Sequence, residues 1–316
     1  MRLPALAFTS GDPAGVGPEL VVEALRSPRV RGRCRPVAVG SRAVFERAGW
    51  NPAISPIVDI GPAGPLRRGG PCAEGGRLSF LAVRQAVRLC ARGLAQGMVT
   101  APVSKDAWRM AGAPCLDHTE LLQKETGSAR VAMLLAAGTL RAALVTRHVP
   151  LSAVAALLRY RDIRDAAVLT ENALREDLGI RSPRLALLAF NPHAGESGLL
   201  GREEEETLGP AAARLRKEGL SLAGPLSADA AWAAHRAGRF DAVIALYHDQ
   251  ALIPLKLAAG YSVLNRTLGL PFVRVSPGHG TAYDIAWKGK ADASGMIAAA
   301  LLAARLASRR FATISA

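Results

Sequence analysis

Three of the six histidines stand directly after apolar runs of strand character. The stretch LRAALVTRHVP delivers His148, RLALLAFNPHAGESG delivers His193, and DAVIALYHDQ delivers His248. In an open parallel sheet the carboxyl ends of the strands form the ligand-binding edge. Imidazoles at three matching strand ends can therefore meet at one point. Three neutral imidazoles with an open position suit a divalent transition metal. Asp249 and Asp229 can add an oxygen ligand or orient a ring from behind. For a single histidine, bonding a loop carbonyl is the plainer role; the repetition favours metal. The pattern is not HExxH, which places its ligands on one helix.

Other polar groups interrupt apolar sequence in ways that need a reason. LDHTELLQKE puts His118 and Thr119 at a helix start, where Thr119 serves as an N-cap or the pair forms an anion site. Lys256 follows His248 in a largely apolar stretch, where burying an unpaired ammonium is costly. Arg274 lies inside PFVRV and calls for a phosphate, a carboxylate or an intramolecular ion pair. Asn265 occupies a similar polar interruption, whereas Lys105 in TAPVSK reads as a solvated charge. SPGHGTAYDIAWKGKAD carries His279, Gly280 and Thr281 ahead of Asp284. A glycine-bearing loop admits close approach of a nucleotide to the backbone. A carboxylate such as Asp284 accepts from a ribose 2′-hydroxyl and repels a 2′-phosphate, which favours NAD over NADP. TSGDPAGVGPELVVEAL reads as strand, tight turn and helix, with Pro18 in the first helical turn; it is neither a P-loop nor a GxGxxG. Glu203–Glu206 read as helix-start residues worth about 0.3–1 kcal/mol each through the helix dipole. His235 reads as a helix-surface residue.

The elements that must position these groups alternate. Leu6–Thr9, Pro36–Val39, Met98–Thr100, Val131–Leu135, Leu140–Thr146, Leu185–Phe190, Ala242–Leu246 and Phe272–Val275 read as strands. Glu19–Leu25, Leu78–Ala91, Ser152–Leu158, Arg164–Leu178 and Glu203–Lys217 carry helical spacing of apolar residues. Such alternation predicts an α/β protein with a largely parallel sheet covered by helices on both faces. Gly61–Gly76 reads as a surface loop long enough to act as a mobile element.

Composition narrows the class. The chain has 316 residues and a formal charge of +14, with only six Lys among its 40 basic residues. The arginines are dispersed and aromatics are 5% of the chain, unlike the clustered basic and aromatic surface of a nucleic-acid binder. No nucleic-acid partner is expected. Cys34, Cys72, Cys90 and Cys115 show no metal-knuckle or paired spacing and read as free thiols. The N-terminus lacks a signal-peptide pattern, and GMIAAALLAARLA is too short to cross a membrane. A soluble, cytoplasmic protein is expected.

GDPAGVGPE, TAPVSK, DHTELL, NPHAGESGLLGREE, YHDQALIPLK, NRTLGLPFVR and HGTAYDIA, taken in order, resemble the 4-hydroxythreonine-4-phosphate dehydrogenase family of vitamin B6 biosynthesis. HGTAYDIA also resembles the cofactor loop of isocitrate and isopropylmalate dehydrogenases. The resemblance implies their two-lobed fold, with the active site in the cleft between lobes. It implies a split lobe, 1–125 plus 268–316, with the cofactor loop, and a middle lobe, 126–267, with metal ligands and dimer contacts. It implies a zinc, magnesium, manganese or cobalt ion on His148, His193 and His248, and substrate contacts at His118, Thr119, Lys256, Asn265 and Arg274. It implies NAD on His279, Gly280, Thr281 and Asp284, and a homodimer whose site is built from both subunits. Asp249, Lys256 and a water on the metal are the candidate bases. The expected reaction is oxidation and decarboxylation of 4-phosphooxy-L-threonine. Oxidation of a relative such as 4-phospho-threonate or erythronate is the alternative. Two positions depart from the family pattern: Gly278 stands where Asp is usual, and Trp287 where Gly is frequent.

Overall fold

The computed structural model describes residues 3–67 and 69–314. The chain begins with β1 (Ala5–Thr9), α1 (Gly17–Arg26), α2 (Pro28–Arg31), β2 (Arg35–Gly40), α3 (Arg42–Arg47) and β3 (Ile57–Asp59). It continues through α4 (Ala73–Ala91), β4 (Gly97–Thr100), α5 (Lys105–Met110) and α6 (His118–Thr126). A second run holds β5 (Ala132–Ala137), β6 (Leu140–Leu144), α7 (Val154–Leu157), α8 (Tyr160–Leu178) and β7 (Leu185–Leu188). Next come α9 (Gly209–Lys217), β8 (Leu222–Leu226), α10 (Ala228–Arg236), β9 (Ala242–Ala245), α11 (His248–Ala259) and β10 (Leu264–Leu268). The chain then returns with β11 (Val273–Pro277) and α12 (Ser294–Ile314).

These elements form two compact units, 1–129 with 270–316, and 130–269. In the first unit the strands run β3-β2-β1-β4-β11, all parallel. Strand order reverses at β1, so the crevice beyond the ends of β1 and β4 is a topological switch point, where open α/β sheets bind ligands. β1 reads as a continuous apolar run because both its faces are covered. Phe8, Leu20, Leu25, Phe45, Leu78, Met98 and Trp108 fill this unit's interior.

In the second unit the order is β10-β5-β6-β9-β7-β8. β10, β5 and β6 pair antiparallel, while β6, β9, β7 and β8 are mutually parallel. One face is packed by Ile163, Ala167, Leu174, Leu208, Ala212 and Leu215, and the other by Ala231, Ala251, Leu252 and Leu255.

The structure departs from the sequence expectation at several elements. β3, β8 and β10 are additional strands. β8 carries Gly224 and Pro225, which argue against a strand, and β10 carries Asn265 and Arg266 at positions expected to be apolar. α11 was hidden by Pro254, a helix-breaking residue that it accommodates in its interior. The apolar run near the C-terminus is a core helix: Met296, Ala299, Ala300, Ala303, Ala304 and Ala307 of α12 are buried. Among the described residues no helix is long and apolar enough to cross a membrane. The stretch Ser152–Leu158 divides into a 3-10 turn, Leu151–Ala153, and the short α7.

Candidate functional site

Two clusters of polar side chains emerge, one in each unit. In the first, β4 ends in Thr100 and β11 carries Arg274 beside it. Arg274 is 2% exposed, and its Nε and Nη2 both donate to Thr100 Oγ1, at 3.1 and 2.8 Å. Burial lowers the guanidinium pKa to about 10 while Asp117 acts in the opposite sense, so Arg274 stays cationic at neutral pH. α6 begins at His118 and is capped by Asp117, whose Oδ1 accepts from Glu120 N at 3.0 Å. Glu120 reaches back to accept from Leu116 N at 2.7 Å, a reciprocal clamp on the helix start. The cap is therefore Asp117, and Thr119 is a buried first-turn residue rather than an N-cap.

That capped turn aims His118 inward. Trp108 supports the ring edge-on at 5.5 Å between centroids, and its indole is itself fixed by donation to Ser79 Oγ at 2.9 Å. Burial and then the charge of Arg274 hold the His118 pKa well below its usual value, opposed by Asp117. The ring is thus neutral near pH 7. Its Nε2 is shut off from solvent and has no hydrogen-bond partner. A buried polar atom left unpaired is costly, and a ring N–H near a buried guanidinium suits an anionic oxygen.

The loop after β11 lies on the turn after β1. Val16 N donates to Thr281 O at 3.0 Å, and a Cβ at Gly15 would stand 2.6 Å from that same oxygen. Tyr283 donates its hydroxyl to the buried Asp12 at 2.6 Å. Burial, its largest cause, raises the carboxyl pKa of Asp12, and burial followed by the Asp12 contact raises that of the Tyr283 phenol. Trp287, at φ 59°, donates its backbone N–H to Glu19 and its indole N–H to Pro13 O at 2.9 Å. Gly280 is open, with no atom within 4 Å of where a Cβ would stand, and Asp284 is exposed. An open glycine and an exposed carboxylate fit the demands of a dinucleotide: close approach to the backbone and a ribose acceptor.

In the second unit the parallel order β6-β9-β7-β8 places the segments that follow these strands on one sheet edge. His148 follows β6 and His248 follows the adjacent β9; their rings are 5.7 Å apart between centroids. His248 Nδ1 is 2.6 Å from Asp249 Oδ1. With the ring N–H donating to this carboxylate, Nε2 carries the lone pair, the arrangement found behind metal-bound imidazoles. His193 follows β7, on the far side of β9, and the Asp229 carboxyl is held below its usual range chiefly by the Ser227 and Ala230 hydrogen bonds. The donor types therefore fit an imidazole-bound divalent metal. Among the described residues, however, no group of three His, Cys, Asp or Glu within one chain is arranged to hold an ion.

The remaining residues are distributed as follows. Asn265 lies on β10, with a buried Oδ1 that lacks a partner. Lys256 is an exposed residue of α11. Its apolar sequence neighbours suggested a buried ammonium; instead Ile253 and Leu257 are exposed with it. His235 is also corrected, from helix surface to core. It is 4% exposed, with Nε2 accepting from Arg141 N and Nδ1 facing Phe240 O, both at 2.8 Å. Asp12, Trp108 and Asp117 were not legible as site residues in the sequence, although an Asp one residue before His118 carried a capping signal. The four cysteines are free.

The model for pyridoxal phosphate biosynthetic protein PdxA matches residues 32–303. A 4-hydroxythreonine-4-phosphate dehydrogenase of Geobacter metallireducens is 40% identical, covering 96% of each chain. One from Xanthomonas axonopodis pv. citri is 40% identical over 98% of this chain and 100% of its own length. The crystal structure of a 4-hydroxythreonine-4-phosphate dehydrogenase from Klebsiella pneumoniae superposes with a TM-score of 0.85 at 35% identity, covering 96% of this chain and 99% of that one. With matches of this extent in sequence and fold, the chain belongs to the PdxA family of pyridoxal phosphate biosynthetic proteins.

Proposed function

We propose that this chain is the dehydrogenase that oxidises 4-phosphooxy-L-threonine with NAD and releases 3-amino-2-oxopropyl phosphate and carbon dioxide, as a cytoplasmic homodimer. The observation that carries the reading is the buried cation of Arg274 acting on His118, whose Nε2 is shut off from solvent without a partner. Arg274 supplies a fixed cation, and neutral His118 and the hydroxyl of Thr119 supply neutral hydrogen-bonding groups, for the substrate phosphate. Lys256 and Asn265 complete the anionic and polar contacts.

His148, His193 and His248 hold a divalent cation, zinc, magnesium, manganese or cobalt, with ligands drawn from two protomers. When bound, the cation supplies Lewis-acid polarisation of an alcohol oxygen. Asp249 keeps the His248 ring in the tautomer that binds. The loop His279–Asp284 holds NAD, with Asp284 on a ribose hydroxyl. Asp249 or Lys256 would take the alcohol proton as base, and NAD⁺ held at that loop would supply the acceptor for the carbinol hydride. The resulting β-keto acid loses carbon dioxide, and a proton takes its place on carbon.

Parallel assays of NADH formation test the substrate. The reading expects turnover of 4-phosphooxy-L-threonine well above that of 4-phospho-threonate and 4-phospho-erythronate. The opposite order would assign the chain to the related phosphorylated hydroxy acids.

A further inference from the structure

We propose that Glu204 is a positioning residue for His193: its buried carboxylate holds a strained left-handed turn that carries the imidazole to its cation. The inference rests on the metal reading above and adds to it a residue that touches neither metal nor substrate.

From His193 to Gly198 every residue has positive φ: 51°, 56°, 78°, 42°, 55° and 85°. Four of the six, His193, Ala194, Glu196 and Ser197, are not glycine. Such residues are strained and persist only where their surroundings over-determine them. The turn's internal bonds are Gly198 N and Leu200 N to Gly195 O, both at 3.0 Å, and Leu199 N to Glu196 O at 3.3 Å, few for six residues of this geometry.

The restraint comes from outside the turn. Glu204 is 5% exposed. Its Oε1 accepts from Phe190 N at 2.7 Å and Asn191 N at 2.8 Å, and its Oε2 accepts from Asn191 Nδ2 at 2.8 Å. Glu203 accepts from the same amide nitrogen at 2.7 Å. The backbone entering the turn is thus tied to a carboxylate in the first turn of a π-helical segment, Glu204–Leu208. The far side is pressed against it as well: a Cβ at Gly195 would lie 2.8 Å from Glu204 Oε2, and one at Gly201 would lie 2.4 Å from Asn191 Nδ2. Removing the carboxylate leaves two half-buried backbone N–H groups without their acceptor and Asn191 Nδ2 with Glu203 alone, and frees the turn to relax. The glutamate run therefore does more than complement a helix start.

Three proteins test this by calorimetric titration with Co²⁺ alone: wild type, Glu204→Ala and Glu204→Gln. Backbone hydrogen exchange over 189–200 and thermal unfolding are followed in parallel. Loss of an orienting partner typically weakens metal binding about 10–100-fold. Glu204→Ala is expected to lose that much affinity and its exchange protection at 190 and 191, with protection in β5 and β6 unchanged. Glu204→Gln keeps an acceptor for the two backbone N–H groups and is expected to recover most of the affinity. In a His193→Ala background, Glu204→Ala is expected to cost no further affinity. Wild-type affinity in Glu204→Ala, or a lower Tm without weaker metal binding, overturns the positioning role. Absence of Co²⁺ binding by the wild type overturns the metal reading itself, and the positioning role with it.

Discussion

Arg274 and His118 answer to different solvents. The guanidinium is a permanent charge in a buried place, and its Nε and Nη2 share one hydroxyl, that of Thr100. Truncating one partner of a buried, hydrogen-bonded charge pair costs roughly 2–5 kcal/mol. Arg274→Ala is expected to raise KM for the phosphorylated substrate by about two orders of magnitude or more, with the far-UV spectrum unchanged; an unchanged KM removes Arg274 from the site. His118 instead contributes through pH. Its folded pKa lies below the usual value, as does that of His235, in both cases chiefly through burial. Folded and unfolded states are both neutral above the unfolded pKa, about 6.5. Below it the unfolded chain takes up protons first, so stability present at pH 7 is lost as pH falls toward the folded values. Melting temperatures measured between pH 7.5 and 5 are expected to fall, and His118→Gln is expected to flatten that slope. The sequence disclosed His118, His148, His193, His248 and Arg274 because each interrupts an apolar run. It hid Glu204, Asp12 and Trp108 because their roles are hydrogen bonds to backbone or to residues distant in the chain.

Elements were legible where burial is two-sided. β1, β4, β7 and β9 read as plain apolar runs because helices cover both faces. β8, β10 and α11 were obscured by Gly, Pro and polar residues whose compatibility with their element depends on tertiary neighbours. The meeting of the β1 turn with the loop after β11 was likewise out of reach, since it joins Gly15 to Thr281. That contact makes a specific demand. An added Cβ at Gly15 would stand 2.6 Å from Thr281 O and 2.9 Å from Thr281 Cβ, and overpacking of this kind costs about 1–3 kcal/mol. Gly15→Ala is expected to raise KM for NAD about tenfold while leaving KM for the phosphorylated substrate within about twofold. An equal effect on both would mean that the loop does not serve the cofactor.

At the scale of the molecule, large apolar side chains are exposed beside each of the three histidines. Val149 and Leu151 follow His148, Leu199 and Leu200 follow His193, and Ile253 and Leu257 follow His248. Where such side chains lie together they mark an interaction surface. A second copy of the chain would cover them and would supply the imidazole that one chain does not bring to the His148–His248 pair. Leu257, at 85% exposure, is a sensitive point on this surface. Light scattering is expected to give Leu257→Glu the mass of a single 33.1 kDa chain, against two for the wild type, and the variant is expected to lose metal. A monomeric wild type with full activity would contradict the shared site. The central claim, one cation gripped by imidazoles from two chains, is tested most directly by anomalous diffraction from cobalt-loaded crystals. The account predicts one cobalt peak per site, bounded by His148, His193 and His248 drawn from both protomers. Peaks held by other residues, or three rings directed to separate places in every arrangement of protomers, would contradict it.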